Sequence, residues 1–191
     1  IRKEFGKSPE ELFAEFDPIP IASASLAQVH KARLHDGRRV AVKVQHADIE
    51  VIAALDLESI RRIMELIQLV VRIRGMESYH ADIAELIRQE LDFELEAENI
   101  ATIEANFAGN TNVHFPVVVH ELSTTRVLTT EFVEGAKVTD FAALARMGID
   151  RPALADRMLR VVCQMIFVDG VYHADPHPGN IIVHPDGSFT L

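Results

Sequence analysis

The strongest chemical signal in the sequence is a short loop that combines a carboxylate with an amide. It runs His173-Ala174-Asp175-Pro176-His177-Pro178-Gly179-Asn180, so that an asparagine follows an aspartate by five residues and a histidine precedes it by two. This spacing is typical of the catalytic loop of protein kinases, in which the carboxylate orients or deprotonates the attacking hydroxyl and the amide oxygen helps to hold Mg²⁺. Proline restricts the backbone, which suits a loop that must hold two side chains still.

Two other interpretations of this loop stay open. The first is a proline-rich turn with exposed polar residues. The second is a metal pair formed by His173 and His177, but Pro176 lies between them and argues against the helix that ligation at i and i+4 requires. We favour the kinase-like loop over both.

A second signal is the lysine in Val40-Ala41-Val42-Lys43-Val44. Burying an ammonium in an apolar strand is costly unless it meets an anion, and kinases use a strand lysine to hold nucleotide phosphates. By itself the pattern is weak, because many edge strands carry an outward lysine. Its value comes from its place in the second strand of a predicted hairpin, whose first strand follows a loop of small residues.

That loop is Ala22-Ser23-Ala24-Ser25-Leu26-Ala27, and it stands where a kinase carries its glycine-rich loop. Alanine and serine permit close approach of a phosphate to the backbone but restrict the backbone more than glycine does. We therefore expect an altered mode of nucleotide binding. Without the other motifs, this stretch would be interpreted as a flexible linker.

Two further segments are candidates for the same site. The stretch from Glu90 to Asn99 carries five carboxylates, and their spacing does not choose which of them could pair with a lysine. The stretch from Leu128 to Gly135 is a strand that ends in a bend. It fits the connection between two kinase lobes, where backbone groups contact adenine, and it fits an ordinary strand end equally well.

The elements that must position these groups follow from pattern and turn signals. Runs rich in valine on either side of Asp36-Gly37 predict a hairpin. The remaining predictions are helices over 10–16, 48–73, 82–107, 139–147 and 151–168, strands over 115–120 and 126–133, and a hairpin around Pro185-Asp186-Gly187. A small sheet followed by a mainly helical part indicates an α+β fold in two lobes.

Composition narrows the class of protein. The 191 residues include 19 Lys and Arg against 29 Asp and Glu, a formal charge of −10, which disfavours a nucleic-acid-binding role. Cys163 is the single cysteine, so no internal disulfide forms and a reducing compartment is expected. The most apolar window, residues 55–73, is interrupted by polar residues every three to four positions, which predicts an amphipathic helix rather than a membrane span. No signal peptide is visible.

Taken together and in this order, the motifs resemble the UbiB/ADCK family of atypical kinase-like proteins. The resemblance rests on residues 21–30, Val40 to Lys43, Glu90-Leu91-Asp92 with Glu96, and the loop from His173 to Asn180, and it spans nearly the whole chain. It implies a protein-kinase-like fold, with a small antiparallel-sheet lobe (about 1–133) that carries a helical insertion and the start of a helical lobe (about 134–191).

Residue roles follow from the resemblance. Lys43 would bind phosphate, with Glu96 within salt-bridge reach of it, and Asp175 would act as the catalytic carboxylate. Asn180 would be a Mg²⁺ ligand. The remaining residues are the Ala22–Ala27 loop at the nucleotide, Glu131 and Val133 as backbone contacts to adenine, Glu90 and Asp92 as an acidic motif near the nucleotide, and His173 at the start of the catalytic loop.

The resemblance also implies what the protein does. The expected ligands are ATP and Mg²⁺, and the expected activity is that of an ATP-dependent kinase or ATPase supporting ubiquinone (prenyl-quinone) or lipid biosynthesis. Prenyl-quinone precursors or lipids are the expected partners, with the full-length protein in the cytoplasm, peripheral to or anchored in the inner membrane. The alternative is a pseudokinase-like module that uses nucleotide to gate lipid or protein binding without phosphoryl transfer.

Two departures from the family pattern shape a further expectation. The Lys-x-Gly-Gln segment and the Asp-Phe-Gly loop, which supplies the principal Mg²⁺ ligand, do not appear in the sequence. We therefore expect a piece of a longer protein, inactive by itself, in which the helix over 151–168 leaves Leu159, Val162 and Ile166 incompletely buried.

Overall fold

The structure is a computed structural model that describes residues 1–71, 76–172 and 177–191. The chain forms two compact units. Unit 1 comprises Ile1–Leu95 and His120–Thr129, and unit 2 comprises Glu96–Val119 and Thr130–Leu191.

Unit 1 is built on an antiparallel sheet. Short helices precede its first strand in the sequence, and longer helices follow its fourth strand. The strands begin with β1 (Glu15–Phe16) and β2 (Ala22–Ser23), and continue with β3 (Ala27–Arg33), β4 (Arg39–Gln45) and β6 (Val127–Glu131), the last of which runs into unit 2. The helices are α1 (Arg2–Phe5), α2 (Pro9–Leu12), α3 (Ile49–Val70) and α4 (Met76–Glu90), followed by the start of α5 (Phe93–Asn106).

The predicted hairpin around Asp36-Gly37 is confirmed. β3 and β4 pair over seven residues each, from Ala27 opposite Gln45 to Arg33 opposite Arg39. Gly37 has φ 93°, a conformation that glycine adopts without steric cost and that closes the turn. Alternation along β4 buries Val40 and Val42 on one face of the sheet and leaves Lys43 partly buried on the other.

The strands order as β1-β3-β4-β6, with β2 also paired to β3. The predicted helix over 10–16 is wrong in its second half: α2 ends at Leu12, and Glu15 and Phe16 form β1 opposite Arg33 and Ala32. Tertiary pairing overrides helix propensity there, because Glu15 and Phe16 complete the edge of the sheet.

The predicted continuous helix over 82–107 is also wrong. It consists of two helices, α4 from Met76 to Glu90 and α5 from Phe93 to Asn106. The side chain of Asp92 accepts hydrogen bonds from the N–H groups of Glu94 and Leu95 at 3.0 and 3.4 Å, which satisfies donors at the start of a new helix. The first of these helices begins at Met76, six residues before the predicted start at residue 82.

Gln45 joins three segments of unit 1. Its Nε2 donates to the carbonyl oxygens of Leu91 at 2.6 Å and Thr125 at 3.1 Å, and its backbone N–H donates to Arg126 at 3.1 Å. The side chain is 6% exposed, and its Oε1 is buried with no hydrogen-bond partner. The end of β4 is thereby attached both to the α4–α5 junction and to the start of β6.

Unit 2 contains the second sheet, in the order β5-β9-β8-β7. Its strands are β5 (Val113–His114), β7 (Ala136–Lys137), β8 (Ile182–Val183) and β9 (Phe189–Thr190), and its helices are the rest of α5, α6 (Phe141–Arg146) and α7 (Arg151–Gln164). The hairpin predicted around Pro185-Asp186-Gly187 is confirmed as β8–β9. The strand predicted over 115–120 is reduced to one antiparallel bridge between Val118 and Thr130, and the strand that precedes it is Val113–His114, parallel to β9.

Apolar side chains from the helices and the sheet pack together in unit 2. Fully buried members include Leu144 of α6, Met165 and Phe189. The helix predicted over 151–168 is present as α7 continued by a π-helical turn, Met165–Asp169. It leaves Leu159 61% and Ile166 45% exposed, as expected. Among the helices that the structure describes, none is long and apolar enough to cross a membrane.

We predict that Gln45→Glu destabilises the protein by on the order of 3 kcal/mol. The substitution removes two hydrogen bonds and places a carboxyl group against two carbonyl oxygens in a buried site. Urea unfolding at neutral pH measures the effect. Gln89→Glu is the matched control, because Gln89 is exposed on α4 and its change should stay within about 0.5 kcal/mol. Equal losses in the two variants would contradict the assigned role of Gln45.

Candidate functional site

Lys43 lies on β4 with its ammonium over an aromatic ring. Its Nζ is 4.5 Å from the centroid of Phe93, whose side chain is 1% exposed. A cation over the face of a ring is attracted by the negative potential of that face. Sequence reasoning missed Phe93, although it is the one aromatic residue in the acidic stretch 90–99.

The backbone fixes Phe93 in this place. Its N–H donates to the carbonyl oxygen of Thr125 at 3.0 Å, and the same oxygen accepts from Nε2 of Gln45. Gln45 follows Lys43 by two residues on β4, so the two side chains lie on the same face of the strand. The strand that carries the ammonium and the helix that carries the ring are therefore attached to one carbonyl group.

The small-residue loop is ordered by strand pairing rather than being a linker. Ala22 and Ser23 form β2 and pair with Val29 and Gln28, and the N–H of Ala24 donates to the carbonyl of Ala27 at 2.8 Å. Residues 22–25 are exposed, Leu26 is partly buried and Ala27 is buried. Unit 1 thus presents a tight hairpin of small side chains at its surface.

His46 holds this hairpin from the end of β4. Its backbone N–H donates to the carbonyl of Leu26 at 3.0 Å, and its ring Nε2 lies 2.9 Å from the carbonyl oxygen of Ala24. A carbonyl oxygen only accepts, so Nε2 carries the proton in this contact. Sequence reasoning did not single out His46. The signal that the sequence offered was a histidine just beyond the predicted strand.

The acidic motif is spread over two helices. Glu90 is exposed at the end of α4, and Asp92 is partly buried with one oxygen engaged at the start of α5. Glu96 is partly buried on α5 and belongs to unit 2. The pairing of Glu96 with Lys43 stays a prediction.

In unit 2, the end of β6 presents the backbone that was expected to contact adenine. The N–H of Glu131 donates to the carbonyl of Val117 at 2.8 Å. A contact from Glu131 to a purine must therefore use its carbonyl oxygen. Val133 is partly buried two residues further on.

Gly135 then lies against β8. A Cβ atom at Gly135 would lie 2.5 Å from the carbonyl oxygen of Val183 and 2.6 Å from Cγ2 of Ile182. Only glycine permits this approach, after which Ala136 pairs with Val183 in β7–β8. The bend after β6 is thus packed directly on the strand that follows the predicted catalytic loop.

Part of the predicted catalytic loop, His173 to Pro176 with Asp175, lies outside the described residues. The rest of the loop forms a 3₁₀ turn, Pro178–Asn180, in which Nδ1 of His177 accepts from the N–H of Gly179 at 3.0 Å and the N–H of Asn180 donates to the carbonyl of His177 at 2.8 Å. Asn180 is exposed. The geometry gives His177 a capping role at the start of this turn.

The β8–β9 hairpin, which follows this turn in the sequence, is closed by Asp186. Its Oδ1 accepts from the hydroxyl of Ser188 at 2.6 Å and from the N–H of Ser188 at 2.9 Å. These hydrogen bonds stabilise the carboxylate and hold its pKa below the usual range. Across 1–71, 76–172 and 177–191, no three His, Cys, Asp or Glu side chains are grouped as a metal site.

The whole chain, residues 1–191, matches the family model described as the ABC1 atypical kinase-like domain. The chain belongs to this ABC1 family. The resemblance to UbiB/ADCK proteins, the α+β class and the kinase-like fold are thereby confirmed.

Among curated relatives, an ABC1 protein of Arabidopsis thaliana is 39% identical over 192 residues, covering 98% of this chain and 36% of the relative. AarF domain-containing protein kinase 1 of Gallus gallus is 39% identical over 190 residues, covering 96% of this chain and 35% of the relative. Among solved structures, the Mycobacterium tuberculosis protein Rv3197, determined in complex with erythromycin, matches with a TM-score of 0.74 at 28% identity, covering 95% of this chain and 46% of that one. The ABC1 chain spans about a third of the length of the two curated relatives.

We predict that His46→Leu loosens the small-residue hairpin of this ABC1 domain without unfolding it. Loss of one hydrogen bond worth about 1 kcal/mol should speed exchange of the Ala24 amide by about fivefold. Hydrogen exchange resolved by residue measures this. His35→Leu is the matched control, because His35 is exposed near the β3–β4 turn. Unchanged exchange at Ala24 in His46→Leu would show that the ring does not hold the hairpin.

We also predict that Gly135→Ala lowers the free energy of unfolding by about 1–3 kcal/mol, because the new methyl group collides with the backbone of β8. Thermal unfolding of the variant gives the measurement. Thr139→Ala, an exposed change four residues along, should stay within about 0.5 kcal/mol. A stable Gly135→Ala protein would mean that the bend after β6 does not need this close approach.

Proposed function

We propose that this ABC1 domain binds ATP with Mg²⁺ and acts as an atypical kinase or ATPase. The observation that carries the proposal is the register of the sheet in unit 1. Ala22 pairs with Val29, and Val29 pairs with Lys43, so the small-residue hairpin and the lysine lie in line across three adjacent strands. Neighbouring strands are about 4.8 Å apart, so the backbones at Ala22 and Lys43 are separated by roughly 10 Å.

This arrangement suits a polyphosphate. Lys43 supplies a positive charge between Val42 and Val44 on β4, and the exposed hairpin 22–25 supplies small side chains that allow a ligand to approach the backbone. The hydrogen bonds from His46 to Ala24 and Leu26 keep the hairpin in place before any ligand arrives. A preformed loop reduces the entropy that binding must overcome.

The remaining roles are proposed for groups of both units. The carbonyl of Glu131 and the backbone of Val133 are proposed to contact the adenine. Asp175 is proposed as the catalytic carboxylate that orients the attacking hydroxyl or water, with His173 at the start of its loop. Glu96 is proposed to brace Lys43, with Glu90 and Asp92 providing negative charge near the nucleotide.

The residue proposed for Mg²⁺, Asn180, fits the chemistry of the ion. Mg²⁺ prefers oxygen ligands and commonly binds one or two protein groups together with substrate phosphates. Asn180 is exposed at the end of its 3₁₀ turn, and its backbone N–H is engaged within the turn by the carbonyl of His177. When bound, the ion would neutralise charge on the phosphates, while Asn180 would orient it.

For the wider role, we propose support of ubiquinone (prenyl-quinone) or lipid biosynthesis, with prenyl-quinone precursors or lipids as partners. This step is supported by the family membership. The corresponding location is the cytoplasm, peripheral to or anchored in the inner membrane in the full-length protein. The lobes are proposed to divide near residue 133.

A second candidate is a pseudokinase-like module in which nucleotide binding gates a lipid or protein interaction. The observation that favours it is the restrained hairpin: strand pairing of Ala22 and Ser23 and the His46 contacts limit movement of the loop over a nucleotide. Restricted closure would favour holding ATP over transferring its phosphate. This candidate predicts nucleotide binding without phosphate release.

The test is a thermal-shift titration of the full-length protein with ATP and ADP, with and without Mg²⁺. ATP at 100 times its Kd should stabilise the wild type by about 2.7 kcal/mol, and Lys43→Met should lose the shift. Lys7→Met is the matched control, because Lys7 is exposed on unit 1. No shift in a folded wild type would reject nucleotide binding.

Phosphate release then separates the two candidates. Turnover in the wild type that is lost in Asp175→Asn, with the ATP-induced shift retained, supports the enzyme. An ATP-induced shift without any phosphate release supports the pseudokinase-like module.

A further inference from the structure

We propose that Phe93 is a positioning residue for Lys43, and that its ring holds the ammonium where the phosphates of a nucleotide bind. This inference rests on the proposed function for its ligand. Its structural basis lies entirely within unit 1, where Nζ of Lys43 is 4.5 Å from the centroid of the ring.

The ring is fixed before the ammonium meets it. Phe93 is 1% exposed, so its side chain has no freedom to follow a moving lysine. The backbone of Phe93 is bound to Thr125, and Nε2 of Gln45 is bound to Thr125 and to Leu91. The position of the ring relative to β4 is therefore set by hydrogen bonds that do not involve Lys43.

The contact has a consequence for ligand binding. A lysine side chain has four rotatable bonds, and ordering it costs conformational entropy whenever it engages an anion. A buried ring face under the ammonium limits those conformations in advance. The ring is neutral, so it stabilises the ammonium without competing with the phosphate for it, as a carboxylate would.

The inference separates phosphate affinity from nucleoside affinity. Lys43 is proposed to contact phosphate only, so a residue that acts through Lys43 should affect ATP and leave adenosine unchanged. Phe93→Leu removes the π face while keeping an apolar side chain. We expect it to raise the Kd for ATP about 3- to 30-fold, the range of a cation–π contact, and to leave the Kd for adenosine unchanged.

The experiment is calorimetric titration of the full-length protein with Mg-ATP and with adenosine, in a double-mutant cycle. Phe93→Leu in a Lys43→Met background should cause no further loss of ATP affinity. Phe93→Tyr in the wild-type background keeps a ring and should retain the ATP affinity that Phe93→Leu loses. Phe13→Leu is the packing control, because Phe13 is also 1% exposed in unit 1. Equal weakening of ATP and adenosine, or a further loss in the Lys43→Met background, would overturn the inference.

A spectroscopic arm needs no nucleotide and so separates failure of this inference from failure of the proposed function. In protein labelled with ¹³C-lysine, ring currents should shift the Lys43 ε-methylene protons upfield, and the signal is assigned by its loss in Lys43→Met. The shift should persist in Phe93→Tyr and Phe13→Leu and disappear in Phe93→Leu. If wild type bound no ATP, the proposed function would fail, while an upfield signal would still support the positioning contact. A Lys43 signal at its ordinary position in wild type would overturn it.

Discussion

The contact between the ammonium group of Lys43 and the ring of Phe93 is the constraint on which unit 1 depends. Lys43 is partly buried on the face of β4 opposite Val40 and Val42, and a charge that is partly removed from water needs compensation by other groups. The ring of Phe93 provides one such compensation. For that ring to lie under β4, the helix that would otherwise run through residues 91 and 92 must break, and Asp92 stabilises the break by capping α5.

The same constraint explains the polar side chain of Gln45 in the interior. The side-chain amide of Gln45 donates hydrogen bonds to the carbonyl oxygens of Leu91 and Thr125, and so it holds β4 against the α4–α5 junction. Its own Oε1 is left without a hydrogen-bond partner. An apolar residue would pack at this position without specifying the register of the two segments. The hydrogen bonds of Gln45 and Phe93 to Thr125 determine how the lysine and the ring meet, and so they connect packing to the proposed chemistry.

Sequence reasoning succeeded where one local signal determines one structure. The Asp36-Gly37 turn predicted the β3–β4 hairpin, and the ordered motifs predicted the kinase-like fold and the family. It failed where a tertiary contact determines the local structure. Glu15 and Phe16 form a strand because they pair with the edge of β3. The helix predicted over 82–107 is interrupted because Asp92 caps α5, and the sequence alone did not distinguish Asp92 from the other acidic residues nearby. Phe93 and His46 were missed for the same reason, since their roles arise from partners distant in sequence. The roles of Asp175, Glu96 and Asn180 stay predictions.

The central claim is that Lys43 meets the phosphates of ATP, and affinity labelling tests it most directly. An acyl-phosphate derivative of ATP transfers its acyl group to a lysine amine that lies beside the phosphates, and peptide mass spectrometry then identifies the acylated residue in the full-length protein. The account predicts that Lys43 is labelled and that excess Mg-ATP protects it, while exposed lysines such as Lys7 are not protected. Labelling of Lys43 that ATP does not suppress, or ATP-protected labelling at another lysine, would contradict the account.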